Sequence, residues 1–171
     1  MIVNLKKTLR HLFLPHESNN HIDAINRISY LKEDDVKIIC PLSYGNKKHA
    51  ATVIKRGKEV FGDKFIPLTT FIPLEEYLEI LSKIDIAIFN HWRQQAVGNI
   101  TTLLGLGKTV YIRKEVTTWQ LLEEKGIKIL DFSLVTELLT LPESDRASNA
   151  EIIKRNYNKE TLIKQSKEVF G

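Results

Sequence analysis

Arg93, Gln94 and Gln95 are three consecutive long polar side chains, set between an apolar run at residues 85–89 and a segment where Ala96, Val97, Ile100, Leu103 and Leu104 recur at helical spacing. Neither capping nor packing calls for such a triplet, so a ligand is the natural reason for it. The run at 85–89 alternates too little to be half-exposed and reads as a fully buried parallel strand. Gly105 and Gly107 end the helix that follows. A strand that runs through a donor-rich turn into a helix is how an anion site is made. The first amides of the helix lack internal partners and face the turn, and open α/β sheets bind ligands beyond the carboxyl ends of their strands. A phosphate group is the ligand that best suits His91 to Asn99.

A second polar loop has the same placement. Ser43, Tyr44 and Gly45 follow an apolar strand at residues 36–40 and precede a helix that Asn46 can cap. A third candidate, Glu17 to His21 with Asn19, Asn20 and His21 at its end, heads the first helix. A fourth, Thr117 to Trp119, follows the fifth strand. In a parallel sheet all carboxyl ends point one way, so these loops converge on one cleft. Plainer explanations exist for three of them: a turn at 43–45, a helix cap at 19–21, and a cap plus a core tryptophan at 117–119.

The elements that must position these residues alternate along the chain. Strands are expected at residues 10–14, 36–40, 64–67, 85–89, 109–112 and 127–130. Helices are expected at 20–31 and around Ala50 to Phe61. A third begins with Pro73 in its first turn and has Leu74, Tyr77, Leu78 and Leu81 as its core face. Thr117 or Thr118 is expected to cap the helix that carries Trp119, Leu121 and Leu122. Beyond Asp131 the pattern reads as helical and more polar, with a loop at 142–149 and one or two terminal helices over 150–170; terminal helical structure is placed from about residue 143. The pattern predicts an α/β, Rossmann-like three-layer αβα domain with a mostly parallel sheet of about six strands.

Composition narrows the function. A chain of 171 residues, 43% hydrophobic, suffices for one core, so 1–171 is read as a single domain. The net charge of +4 is scattered, which suits an anionic ligand or an anionic membrane face and gives no sign of a nucleic-acid partner. Cys40 is the only cysteine and sits in an apolar strand, a small hydrophobe in keeping with a reducing cytoplasm. No apolar run approaches the ~20 residues that cross a bilayer, so membrane association is expected to be peripheral. Neither a GxGxxG fingerprint nor a Walker loop is present, the five histidines show no zinc-type spacing, and no G-x-S-x-G elbow occurs. No metal and no cofactor are implied.

Across residues 18–132, the Ser18-Asn19-Asn20-His21 piece, the Pro41-Leu42-Ser43-Tyr44-Gly45 loop, Phe71-Ile72-Pro73-Leu74, Phe89-Asn90-His91 with Arg93-Gln94-Gln95, Gly98-Asn99 and Thr117-Thr118-Trp119 resemble the TDP-N-acetylfucosamine:lipid II N-acetylfucosaminyltransferases, also called 4-alpha-L-fucosyltransferases. The stretch from Ile66 to Val110 is similar to the donor-binding half of GT-B glycosyltransferases. That resemblance implies transfer of 4-acetamido-4,6-dideoxygalactose (N-acetylfucosamine) from a TDP-sugar donor to a polyprenyl-pyrophosphate-linked saccharide. The setting it implies is the inner face of the cytoplasmic membrane, in polysaccharide or enterobacterial common antigen synthesis. It further implies that Arg93, Gln94, Gln95 and Asn99 hold the diphosphate, that Ser43, Tyr44 and Gly45 line the sugar or phosphate side, that Phe71 and Ile72 flank the base, and that Asn19, Asn20 and His21 face the interdomain cleft. Two-domain GT-B enzymes bind the acceptor in an N-terminal half, which this chain lacks the length to hold; a truncated or naturally split enzyme, inactive as the isolated domain, is the expectation. The catalytic base is unassigned. His91 is the nearest candidate, and a hydrogen-bonded structural role accounts for it equally well. Two other classes fit the residues as well: a non-catalytic nucleotide-sugar or phosphate-binding module, and a flavodoxin-like protein-interaction domain.

Overall fold

Four-residue apolar runs rich in β-branched side chains, at residues 86–89 and 109–112, make two fully buried strands of the sheet, because only a strand covered on both faces tolerates them. The computed structural model describes residues 9–12 (by backbone path), 20–43 and 45–157. Within them the strands are β1 (Leu9–Leu12), β2 (Val36–Pro41), β3 (Phe65–Leu68), β4 (Ile86–Phe89), β5 (Thr109–Ile112) and β6 (Leu130–Asp131). They pair in parallel in the order β3-β2-β1-β4-β5-β6. The helices are α1 (His21–Arg27), α2 (Lys47–Phe61), α3 (Leu74–Ser82), α4 (Val97–Gly105), α5 (Thr117–Glu124) and α6 (Glu143–Asn156). The Rossmann-like α/β class expected from the sequence is the class observed.

Alternation along each strand sorts the core into two layers. Ile38, Cys40, Ile86, Ile88 and Tyr111 pack with α1, α2 and Phe132, while Ile39, Ala87, Phe89, Val110 and Ile112 pack with α3, α4, α5 and Ile153 of α6. The same alternation aims the residue after each strand. Phe89 and Ile112 face the α4 side, so Asn90 and Arg113 are delivered to the α1 side of the sheet edge.

Several expectations need correction. The first helix ends at Arg27 and gives way to a 3-10 segment, Ser29–Glu33. Pro73 is the N-cap of α3 and precedes its first turn, and the expected core face of α3 is only half right. Leu81 is buried and Tyr77 and Ile80 pack on the core, but Leu74 and Leu78 are exposed. Neither Thr117 nor Thr118 caps α5: its N-cap is Val116, in extended backbone, and Thr118 is buried. The last strand is Leu130–Asp131, later than the 127–130 expected. Beyond it, residues 132–142 are not helical, and the segment read as a loop at 142–149 forms the first half of α6. There Pro142 stands before the first turn and Glu143 and Asp145 lie within it, a favourable start for a helix with a positive N-terminal end. Residues 13 and 14 of the first expected strand, and residues 158–170 of the terminal helices, lie outside the described residues.

Candidate functional site at the carboxyl edge of the sheet

The strand order reverses between β1 and β4, and two asparagines join the chain across that point. Asn20 donates from Nδ2 to the carbonyl of Asn90 at 3.2 Å, and Asn90 donates from Nδ2 to the carbonyl of Asn20 at 3.3 Å. Asn20 sits in the left-handed region, at φ 44°, which asparagine tolerates better than most residues. Its side chain makes no cap bond to α1, so the plain-cap explanation does not hold for this residue. Asn90 is fully buried and uses the rest of its amide as well: Nδ2 also donates to Asp23 Oδ2 at 2.9 Å, and Oδ1 accepts from Arg113 Nη1 at 3.1 Å. Asp23 in turn accepts from Arg27 Nε at 2.8 Å, and Arg113 Nη2 donates to Glu115 Oε1 at 3.1 Å. A hydrogen-bonded chain thus runs from α1 through β4 to the loop after β5, and it fixes the floor of the edge.

On that floor lies the turn read from the sequence. His91 is buried and meets Phe89 edge-on, with ring centroids 5.6 Å apart. Trp92, Arg93 and Gln94 are exposed and Gln95 is half-buried. The Arg113 guanidinium lies 3.6 Å from the centroid of the Trp92 ring, a cation–π stack that holds the start of the turn. Ala96 is the N-cap of α4 at φ 59°, a left-handed conformation that costs an alanine about 1–2 kcal/mol. It has no side-chain oxygen to offer the first turn. The amides of Val97, Gly98 and Asn99 are therefore left without a side-chain cap beside Arg93 to Gln95. Gly98 is exposed, and a Cβ there would meet nothing within 4 Å, so packing does not demand the glycine. Asn99 is oriented by Tyr77, whose hydroxyl donates to its Oδ1 at 3.3 Å; burial pushes the Tyr77 phenol up to about 12, keeping that proton in place.

The β2–α2 loop is built differently. Asn46 caps α2 by accepting from Lys48 N at 2.8 Å and His49 N at 3.4 Å, so that helix start satisfies itself. Gly45 is exposed at φ 98°, where a side chain would be strained, and Ser43 is half-buried. His21 is fully buried, with Nδ1 3.5 Å from Nε2 of His49. In the β3–α3 loop Phe71 is 74% exposed and Ile72 is half-buried. Among the described residues, no three His, Cys, Asp or Glu side chains gather as a metal set, and no helix is long and apolar enough to cross a membrane.

Residues 15–144 match the family described as 4-alpha-L-fucosyltransferase glycosyl transferase group 56. The chain belongs to that family. The match takes in every candidate loop of this 4-alpha-L-fucosyltransferase family member, from Glu17 to Trp119. Its fold is also that of several solved structures. AviGT4, a glycosyltransferase involved in avilamycin A biosynthesis, superposes with a TM-score of 0.64 at 9% identity, over 95% of this chain and 50% of that one. WaaG, a glycosyltransferase involved in lipopolysaccharide biosynthesis, gives 0.58 at 12% identity over 91% and 44%. The N-terminal domain of Candida albicans trehalose-6-phosphate phosphatase gives 0.64 at 13% identity over 88% and 38%. The fucosyltransferase-family chain thus spans half or less of the structures it resembles.

Of the residues singled out from the sequence, His91, Arg93, Gln94, Gln95 and Asn99 are brought together by the β4–α4 connection, and Asn20 joins them through Asn90. Ser43 and Gly45 stand on the β2–α2 loop of the same edge, and Phe71 and Ile72 on the β3–α3 loop. Asn19 and Tyr44 lie outside the described residues. Sequence reasoning missed Asp23, Asn90, Trp92, Arg113 and Glu115 as a set. The available signal was the break after Ile112, where arginine, lysine and glutamate follow an apolar strand at the binding edge.

Proposed function

We propose that this domain binds the diphosphate of a TDP-sugar at the uncapped first turn of α4 and serves transfer of 4-acetamido-4,6-dideoxygalactose to a polyprenyl-pyrophosphate-linked saccharide. One observation carries the reading: in a chain of the 4-alpha-L-fucosyltransferase family, the helix beside Arg93, Gln94 and Gln95 leaves its leading amides uncapped, while α2 is capped by its own Asn46. Helix amides fixed before the ligand arrives, with a guanidinium beside them, stabilise a diphosphate most as it becomes a leaving group. When the bond from the sugar's anomeric carbon to the phosphate oxygen breaks, the electron pair goes to the diphosphate. The acceptor hydroxyl forms the new bond at that carbon. Arg93 supplies the charge, Gln94, Gln95 and Asn99 supply donors, Ser43, Tyr44 and Gly45 line the phosphate or sugar side, Phe71 and Ile72 flank the base, and Asn19 and Asn20 face the interdomain cleft; His21, expected at that cleft as well, is fully buried beside His49 and does not reach it. His91 packs behind the turn and holds it. The base that takes the hydroxyl proton is assigned to no residue of this domain.

In this reading the domain is one half of a GT-B enzyme, completed by an acceptor-binding half, and it works on the cytoplasmic face of the membrane, where the polyprenyl substrate resides. A thermal-shift series with TDP, UDP, GDP and inorganic phosphate tests the donor assignment. TDP is expected to raise the melting temperature most. A response to TDP no larger than that to inorganic phosphate overturns it.

A further inference from the structure

We infer that Trp92 is the platform on which the donor's hexose ring lies, and that Arg113 is the positioning residue that holds it there; this rests on the diphosphate reading of the α4 turn. The Trp92 ring has one face covered by the Arg113 guanidinium at 3.6 Å and yet is 63% exposed, so its other face is open. An exposed indole held flat has lost the rotamer freedom that a ligand would otherwise have to freeze. Arg113 cannot itself follow a ligand: it is 6% exposed and fixed by Asn90 and Glu115. Its Nε is buried without a hydrogen-bond partner, an unfavourable arrangement that the stack on Trp92 partly offsets.

The strand order decides which part of the donor meets Trp92. Phe71 follows β3 and Arg113 follows β5, four strand spacings away, or about 19 Å. The first turn of α4 follows β4 and lies between them. With the base against Phe71 and the diphosphate at α4, the remaining portion of the ligand points toward β5, where Trp92 stacks on Arg113. A hexose presents a face of C–H bonds, and those hydrogens are attracted to the negative face of an indole.

The test compares TDP with TDP-glucose by calorimetry on the full chain. Trp92→Ala is expected to weaken TDP-glucose severalfold and to change TDP little. Arg113→Lys keeps the charge and loses the planar stack; it is expected to weaken TDP-glucose to the same degree, with no further loss in the double variant. Fluorescence gives a second readout. With Trp119→Phe, Trp92 is the only tryptophan, and its emission is expected to respond more to TDP-glucose than to TDP. Equal loss of both ligands in Trp92→Ala, or no loss of either, overturns the hexose platform and leaves the diphosphate site standing. Binding of neither ligand by the native chain overturns the diphosphate reading, and the platform with it.

Discussion

Asn20 and Asn90 exchange hydrogen bonds at 3.2 and 3.3 Å across the point where the sheet reverses its strand order. The head of α1 and the residue that follows β4 are therefore one hydrogen-bonded unit, and the start of the turn that carries Arg93 is tied to α1. Asn90 spends both amide hydrogens and its oxygen inside the protein, on Asn20, Asp23 and Arg113. Replacing it with alanine leaves three groups short of a partner. Asn90→Ala is expected to cost roughly 2–4 kcal/mol, read from urea unfolding at constant m. A loss below about half a kcal/mol would show that the clasp holds nothing.

Arg93 is exposed, so its removal bears on ligand and little on fold. Arg93→Ala is expected to lower TDP affinity severalfold by calorimetry while shifting the melting temperature only slightly. Unchanged TDP binding rules out its role at the diphosphate.

Gly57 on α2 faces Phe65 on β3 with no room between them: a Cβ built at residue 57 would stand 2.5 Å from the Phe65 ring. Phe65 is fully buried and cannot swing away cheaply. Gly57→Ala is expected to destabilise by about 1–3 kcal/mol despite the better helix propensity of alanine, and Phe65→Leu in the same chain to recover part of the loss. Additive losses in the double variant would contradict this contact.

Burial raises the phenols of Tyr30 and Tyr111 above the ordinary value and Tyr77 to about 12. The native state then keeps protons that the unfolded chain releases from pH 10 upward. Stability on this account is full below pH 10, falls between pH 10 and 12, and levels off above. Tyr77→Phe is expected to make the fall shallower, as followed by urea midpoints across that range; an identical slope would argue against Tyr77.

The sheet and helices α2 and α4 were legible because their signals are local: unbroken apolar runs, helical spacing, and glycine at the ends. The polar turn ahead of α4 was legible as a candidate site for the same reason, since Arg93 to Asn99 is contiguous. The network beneath it was not, because Asp23, Asn90 and Arg113 meet only after folding, at separations of 67 and 23 residues. Helix α3 misled through an apolar stripe that is too wide: Leu74 and Leu78 continue the pattern of Leu81 but lie beyond the part that reaches the sheet. The first half of helix α6 was read as a loop because Asn149 and Ile153 are the helix's only buried residues, and a helix anchored by two points carries almost no periodic signal.

One of those two anchors shapes how the molecule meets its neighbours. Asn149 accepts from the Lys128 amide at 2.8 Å and donates to the Lys128 carbonyl at 2.7 Å, matching both groups just before the outermost strand. A single side-chain amide thereby stands in for the next strand of the sheet. Foreign chains find no open ladder at that residue to extend, so protection against edge-to-edge aggregation at this margin comes from a helix that adds little to the core.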